Sequence, residues 1–133
     1  MMQWFKSKKI QADGNAPKRR ELDTPELWKE ILKDSYGRPV VLFKHSSRCG
    51  LSAMVLKRFE EGFLLDEFRD FSYFLLDVVR YRHISDLVAR ELLTLHESPQ
   101  VILIHNRQAL IDASHYDIVA LPDRFREFKL QLT

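Results

Sequence analysis

The chain has 133 residues, 45% of them hydrophobic, which is the size of one domain with an ordinary core. Its 21 basic residues face 19 acidic ones, and a net charge of +2 demands neither a nucleic-acid nor an acidic partner. A single cysteine excludes an internal disulfide framework and a four-cysteine metal site, and it suits a reducing cytosol. No apolar run reaches membrane-spanning length, and the start, Met1-Met2-Gln3-Trp4-Phe5-Lys6-Ser7-Lys8-Lys9, lacks the apolar stretch of a secretory signal. The expectation is a cytoplasmic, monomeric protein with no nucleic-acid or membrane partner and no metal.

In chain order, residues 1–22 read as a flexible basic arm, with Gly14, Asn15 and Pro17 in its middle, ahead of a domain over 23–133. Thr24 and Pro25 are suited to cap and start a helix carrying Leu27, Trp28, Ile31 and Leu32 at helical spacing, closed by Gly37. Pro39 precedes an apolar strand, Val40 to Phe43. A helix is expected from about Gly50 to Glu61, with Leu51, Met54, Val55, Leu56 and Phe59 on one buried stripe. The run from Phe63 to Phe68 continues it or forms a second short helix. Phe71 to Val79, rich in aromatic and β-branched residues, reads as a buried strand. Ile84, Leu87, Val88 and Leu92 suit another helix. Ser98-Pro99 then interrupts the chain before the strand Val101 to Ile104, and Asn106-Arg107 predicts a tight turn into a hairpin over Gln108 to Ala113. The last helix is Leu121 to Leu132, with Pro122 tolerable in its first turn. Alternating strands and helices imply parallel crossovers with a closing antiparallel hairpin: an α/β domain, a mixed four-stranded sheet with helices on both faces.

The lone thiol, Cys49, lies in Lys44-His45-Ser46-Ser47-Arg48-Cys49-Gly50-Leu51-Ser52, between an expected strand and an expected helix. Backbone N–H groups and the positive end of the dipole at a helix start favour an anion, and Lys44, Arg48 and His45 add positive charge. A thiol so placed ionises readily, and the thiolate is the nucleophile. A plain buried cysteine is the alternative; the cationic flank weighs against it.

The element order, the cysteine at the first strand-to-helix turn and the proline before the hairpin resemble a thioredoxin fold. The nonapeptide around Cys49, with Ser98-Pro99-Gln100 and Ala113-Ser114-His115-Tyr116-Asp117-Ile118, is similar to the YtxJ family of monothiol bacilliredoxin-like proteins over roughly residues 23 to 130. That resemblance implies thiol–disulfide exchange with bacillithiol as co-substrate, no tightly bound cofactor, and bacillithiolated proteins as clients. Gly50 departs from the pattern, where many relatives carry proline or another residue. The resemblance also implies a cis peptide at Ser98–Pro99 beside Cys49, with the Ser98 backbone offered to a bound thiol or peptide.

In this reading Cys49 is the nucleophile. Arg48 and Gly50, with Lys44, support the thiolate, and Arg48 and Lys44 are also candidates to hold carboxylates of the small thiol. Lys44 pointing into solvent is the common alternative. Ser52, three residues on, is placed for its hydroxyl to reach the thiolate, or is an exposed helix serine. Having no second sulfur there, the chain cannot close its own disulfide, so the mechanism is monothiol. His45, Leu51, Ser98 and Pro99 are substrate-side candidates, with a structural histidine the alternative for His45. His83, His96, His105 and His115 show no ligand spacing. Two other readings stand beside this one. Cys49-Gly50-Leu51-Ser52 differs by one residue from the Cys-Gly-Phe-Ser motif of monothiol glutaredoxins that carry a [2Fe–2S] cluster, but Asp112-Ala113-Ser114-His115 stands where those proteins bind glutathione. The second is a non-catalytic adaptor on the same fold.

Overall fold

The computed structural model describes residues 16–132. The expected elements form, and one more with them: β1 (Arg19–Glu21), α1 (Pro25–Asp34), β2 (Val40–His45), α2 (Gly50–Phe63), β3 (Ser72–Asp77), α3 (Arg82–Leu92), β4 (Gln100–His105), β5 (Gln108–Ser114) and α4 (Leu121–Leu132), with short 3-10 turns at Asp66–Phe68 and His115–Ala120. Local chemistry sets the boundaries. Thr24 accepts a hydrogen bond from the Leu27 N–H at 3.0 Å, and Pro25 opens α1. The β4–β5 turn holds Asn106 and Arg107 at φ of 54° and 63°, the doubly left-handed geometry of a two-residue hairpin turn. Ser35, just past α1, anchors that turn through its carbonyl to the Asn106 N–H and its hydroxyl oxygen to the Arg107 N–H, both at 2.9 Å.

The sheet has five strands, in the order β1-β3-β2-β4-β5, where four were expected. The added strand is part of the segment read as an arm. Arg19–Glu21 has no apolar alternation, and it is held from outside: it pairs in parallel with β3, Arg19 grips Glu60 of α2 through two 2.8 Å bonds, and Arg20 stacks on Phe74 at 4.8 Å. The aromatic and basic residues at the start of the arm lie outside the described residues.

β1, β3 and β2 are parallel, while β4 runs antiparallel to β2 and β5 antiparallel to β4. The strand after α3 therefore does not make the crossover expected from element order. α3 starts at the end of the sheet where β3 stops, and residues 93–99 climb back to that same end, so that Gln100 pairs with Lys44.

Strand alternation splits the core into two. Val41, Phe43, Tyr73, Leu75, Val101 and Leu103 face α2 and α4, in a layer dense with Phe59, Phe63, Phe68, Phe71 and Phe125. Val40, Leu42, Phe74, Leu76, Ile102 and Ile104 face α1 and α3, against Trp28, Ile31, Ile84 and Val88. In α2 the buried stripe is Ser52, Val55, Leu56, Phe59 and Phe63. Met54, expected in it, is 41% exposed, because the helix turns Ser52 rather than Met54 toward the sheet. Gly62 lies close to α4, where an added Cβ would stand 3.3 Å from Pro122 Cγ.

Candidate functional site

β2 ends in Lys44 and His45, which alternation sends to opposite faces of the sheet. The chain then turns. The Cys49 N–H donates to the Ser46 carbonyl at 3.2 Å, and the Ala53 N–H donates to the Cys49 carbonyl at 3.2 Å, which begins α2. Cys49 is thus the N-cap of α2. Its backbone is extended (φ −116°, ψ 120°), its side chain makes no capping hydrogen bond, and it is half-buried. Cap position places Cys49 at the positive end of the α2 dipole, though its sulfur takes none of the helix's first N–H groups. Gly50 is exposed at the first helical position, and nothing within 4 Å would meet a Cβ there, so no neighbour requires glycine. Arg48 is exposed beside the sulfur. Leu51 is half-buried and packs on the aromatic core.

Ser52 is fully buried, which removes the exposed-serine alternative. Its oxygen accepts from the Ser46 N–H at 3.1 Å and lies 2.7 Å from His45 Nδ1, pinning the β2–α2 loop. Burial, aided by Arg19, lowers the His45 pKa against the opposing pull of Asp77 and Glu60, so the ring is neutral near pH 7. If His45 carries its proton on Nδ1 it donates to Ser52, and the hydroxyl hydrogen is left free; on Nε2, the hydroxyl donates to His45 instead.

Lys44 is also fully buried, so it is no surface lysine. Its ammonium donates to the Ser85 carbonyl and to His96 Nδ1, both at 3.3 Å, on the α3 face of the sheet. Burial lowers its pKa to about 8, against the attraction of Asp86. The sequence offered no ligand spacing for His96, which reads there as structural or exposed, and no signal for Ser85. They meet Lys44 from 52 and 41 residues away, and no local pattern announces such a contact.

The Ser98–Pro99 peptide is cis, as the family resemblance implied. Because Gln100 pairs with Lys44, Pro99 lies at the same end of the sheet as the Cys49 loop. Gln100 holds the loop before it, accepting from the Glu97 N–H at 3.3 Å and donating to the Leu95 carbonyl at 3.0 Å. Ser98 Oγ is the one buried side-chain polar atom without a hydrogen-bond partner among the described residues. His105 rests edge-on against Phe128, and no group of three or more His, Cys, Asp or Glu side chains among the described residues is placed to hold a metal ion. No helix among them is long and apolar enough to cross a membrane.

The family model described as "Monothiol bacilliredoxin BrxC" matches residues 20–121, a span that contains the whole constellation. The chain belongs to the monothiol bacilliredoxin family. Among solved structures, a thioredoxin-fold protein proposed to be an oxidoreductase is 27% identical, with a TM-score of 0.69, over 82% of this chain and 93% of its own. Thioredoxin f from spinach chloroplast is 17% identical with a TM-score of 0.68, over 90% of this chain and 92% of its own. Thioredoxin from Trypanosoma brucei brucei is 16% identical with a TM-score of 0.69, over 85% and 92%. Comparison with curated proteins finds no match. The bacilliredoxin family and the thioredoxin fold are those of a thiol redox enzyme.

Proposed function

We propose that this bacilliredoxin removes bacillithiol from mixed disulfides on client proteins through Cys49. The observation that carries the proposal is a lone, half-buried cysteine capping α2, with Ser52 where a dithiol enzyme would have its second sulfur. The Cys49 thiolate attacks the bacillithiol sulfur of the mixed disulfide. The client's sulfur leaves as a thiolate and takes up a proton, and the disulfide passes to Cys49 and bacillithiol. With no second cysteine in the chain, a further thiol must attack that adduct to return Cys49 to the reduced form. The α2 N-terminus and Arg48 support the attacking anion. Ser52 makes no hydrogen bond to Cys49 as the loop stands, but in the tautomer where His45 donates from Nδ1 its hydroxyl hydrogen is free to be offered to the thiolate. The Ser98 backbone, ahead of the cis peptide, offers strand-like hydrogen bonds to a bound thiol. The protein works as a cytoplasmic monomer without a resident cofactor.

The test is intact mass after mixing the reduced protein with oxidised bacillithiol or oxidised glutathione. The expected result is one adduct, faster with bacillithiol and absent in Cys49→Ser. A folded protein that takes up neither thiol is the adaptor of the alternative reading, not an exchange enzyme.

A further inference from the structure

At the end of the sheet where the Cys49 loop lies, on the face that Lys44 rather than His45 enters, there is a cavity of about 400 Å³, within the range that holds small ligands. Arg48, the residue before Cys49, forms one wall. The first turns of α3 form another through Arg82, Ser85 and Asp86, and His96 of the returning loop closes a third, with Val78 and Val79 between them. α3 has no side-chain cap at Tyr81 and no acidic residue in its first turn; the Tyr81 carbonyl takes the Ile84 N–H at 3.1 Å, which leaves the Arg82 and His83 N–H groups at its start.

The hydrogen bonding fixes what the walls offer. The Lys44 ammonium can only donate, and it stands 3.3 Å from His96 Nδ1, with the Ser85 hydroxyl 3.2 Å from the same nitrogen. Nδ1 is therefore an acceptor and the ring hydrogen is on Nε2, on a side chain that is exposed. Burial, and Lys44 after it, lower the His96 pKa against Asp86, so the ring is a neutral donor. The cavity thus presents two guanidinium groups, an imidazole N–H and a helix N-terminus over a buried ammonium, with Asp86 as its one carboxylate. The groove across α2 differs in kind: it is about 510 Å³, and its Arg19 is already held at Nε and Nη2 by Glu60.

We infer that this cavity binds a carboxylate of the small thiol whose disulfide Cys49 attacks, and that Arg82 helps to select it. Asp86 is then the acceptor for a hydroxyl or amine of the same molecule. The inference rests on the exchange reading above for its ligand, but not for its binding test.

The test compares the rates of Cys49 with 3,3′-dithiodipropionate, which carries carboxylates, and 2-hydroxyethyl disulfide, which carries none. The wild-type protein should prefer the first by about tenfold, the size of one charge-assisted contact. Arg82→Gln should bring that ratio close to one, whereas Arg90→Gln, the same charge change at the far end of α3, should keep it. Equal rates in the wild type would overturn the carboxylate site and leave thiol exchange standing. If neither disulfide reacts, the exchange reading has failed, and titration with succinate, followed by NMR at the Val79, Arg82 and His96 amides, decides the cavity alone. Saturable shifts lost in Arg82→Gln uphold an anion site; their absence in the wild type overturns it.

Discussion

The two faces of the sheet solve the same problem with different materials. Both carry a column of buried side chains that leads to the Cys49 end, and β2 supplies the last residue of each. On the α2–α4 face the column is aromatic and ends in a neutral pair, His45 with Ser52. On the α1–α3 face it is mostly aliphatic and ends in a buried cation, Lys44, held by a carbonyl and a histidine. The contrast assigns different duties to one end of the molecule. The neutral pair fixes the loop that carries the sulfur, and the cation places positive charge under the cavity next to it without exposing a flexible amine.

The widest gap between the faces should appear in packing. Phe63 has ring neighbours at 5.1 Å (Phe59), 5.2 Å (Phe68 and Tyr73) and 5.7 Å (Phe125), so truncating it empties the middle of a stiff layer. Phe63→Ala should cost about 3–5 kcal/mol, while Ile84→Val on the other face should cost about 1 kcal/mol. Urea denaturation of both variants checks this. Equal losses would mean that the aromatic layer collapses into the hole and is no more rigid than the aliphatic one.

The cation should give its face a pH signature that the neutral pair lacks. Lys44 has a folded pKa of about 8, below its ordinary unfolded value. Between pH 8 and 10 the unfolded chain binds more protons than the folded one, so stability rises with pH. The expected rise is about 2 kcal/mol, allowing for some water at the ammonium. Tyr73 works in the opposite direction, since burial and Glu60 raise its phenol pKa, but only above the ordinary tyrosine range, which closes the window near pH 10. Lys44→Met should abolish the rise, measured as unfolding free energy at pH 7.5 and 10. Parallel curves for variant and wild type would show that the lysine titrates as if in water.

What the sequence revealed followed the range of the interactions. The cap at Thr24-Pro25, the apolar runs of β2 and β4, the Asn106-Arg107 turn and the Cys49 and Ser98-Pro99 motifs all declare themselves within a few residues, and all of them form. β1 was not legible, because Arg19–Glu21 becomes a strand only through Glu60, Phe74 and the open edge of β3. The direction of β4 was hidden because residues 93–99 are free to end at either edge of the sheet until Gln100 finds Lys44. The fate of Lys44 was hidden for the same reason. An apolar strand ending in Lys-His states which residues alternate, but not that His96 and the Ser85 carbonyl wait on one side. The Cys49 motif could be read from its neighbours in sequence; the walls of the cavity next to Arg48 come from distant segments.

The neutral pair offers the smallest and most discriminating change. Ser52→Ala removes one oxygen and leaves the Ser46 N–H and the His45 ring without their shared partner, which should cost about 1–2 kcal/mol, well below the loss in Phe63→Ala. Its effect on the sulfur depends on where His45 keeps its proton. With the proton on Nδ1, the Ser52 hydroxyl hydrogen is free for the thiolate, and the pH profile of Cys49 alkylation should move modestly upward in the variant. With the proton on Nε2, Ser52 donates to His45 and the profile should stay where it is. An unmoved profile together with the stability loss would make Ser52 a pin for the β2–α2 loop and nothing more, leaving the helix N-terminus and Arg48 as the supports of the thiolate.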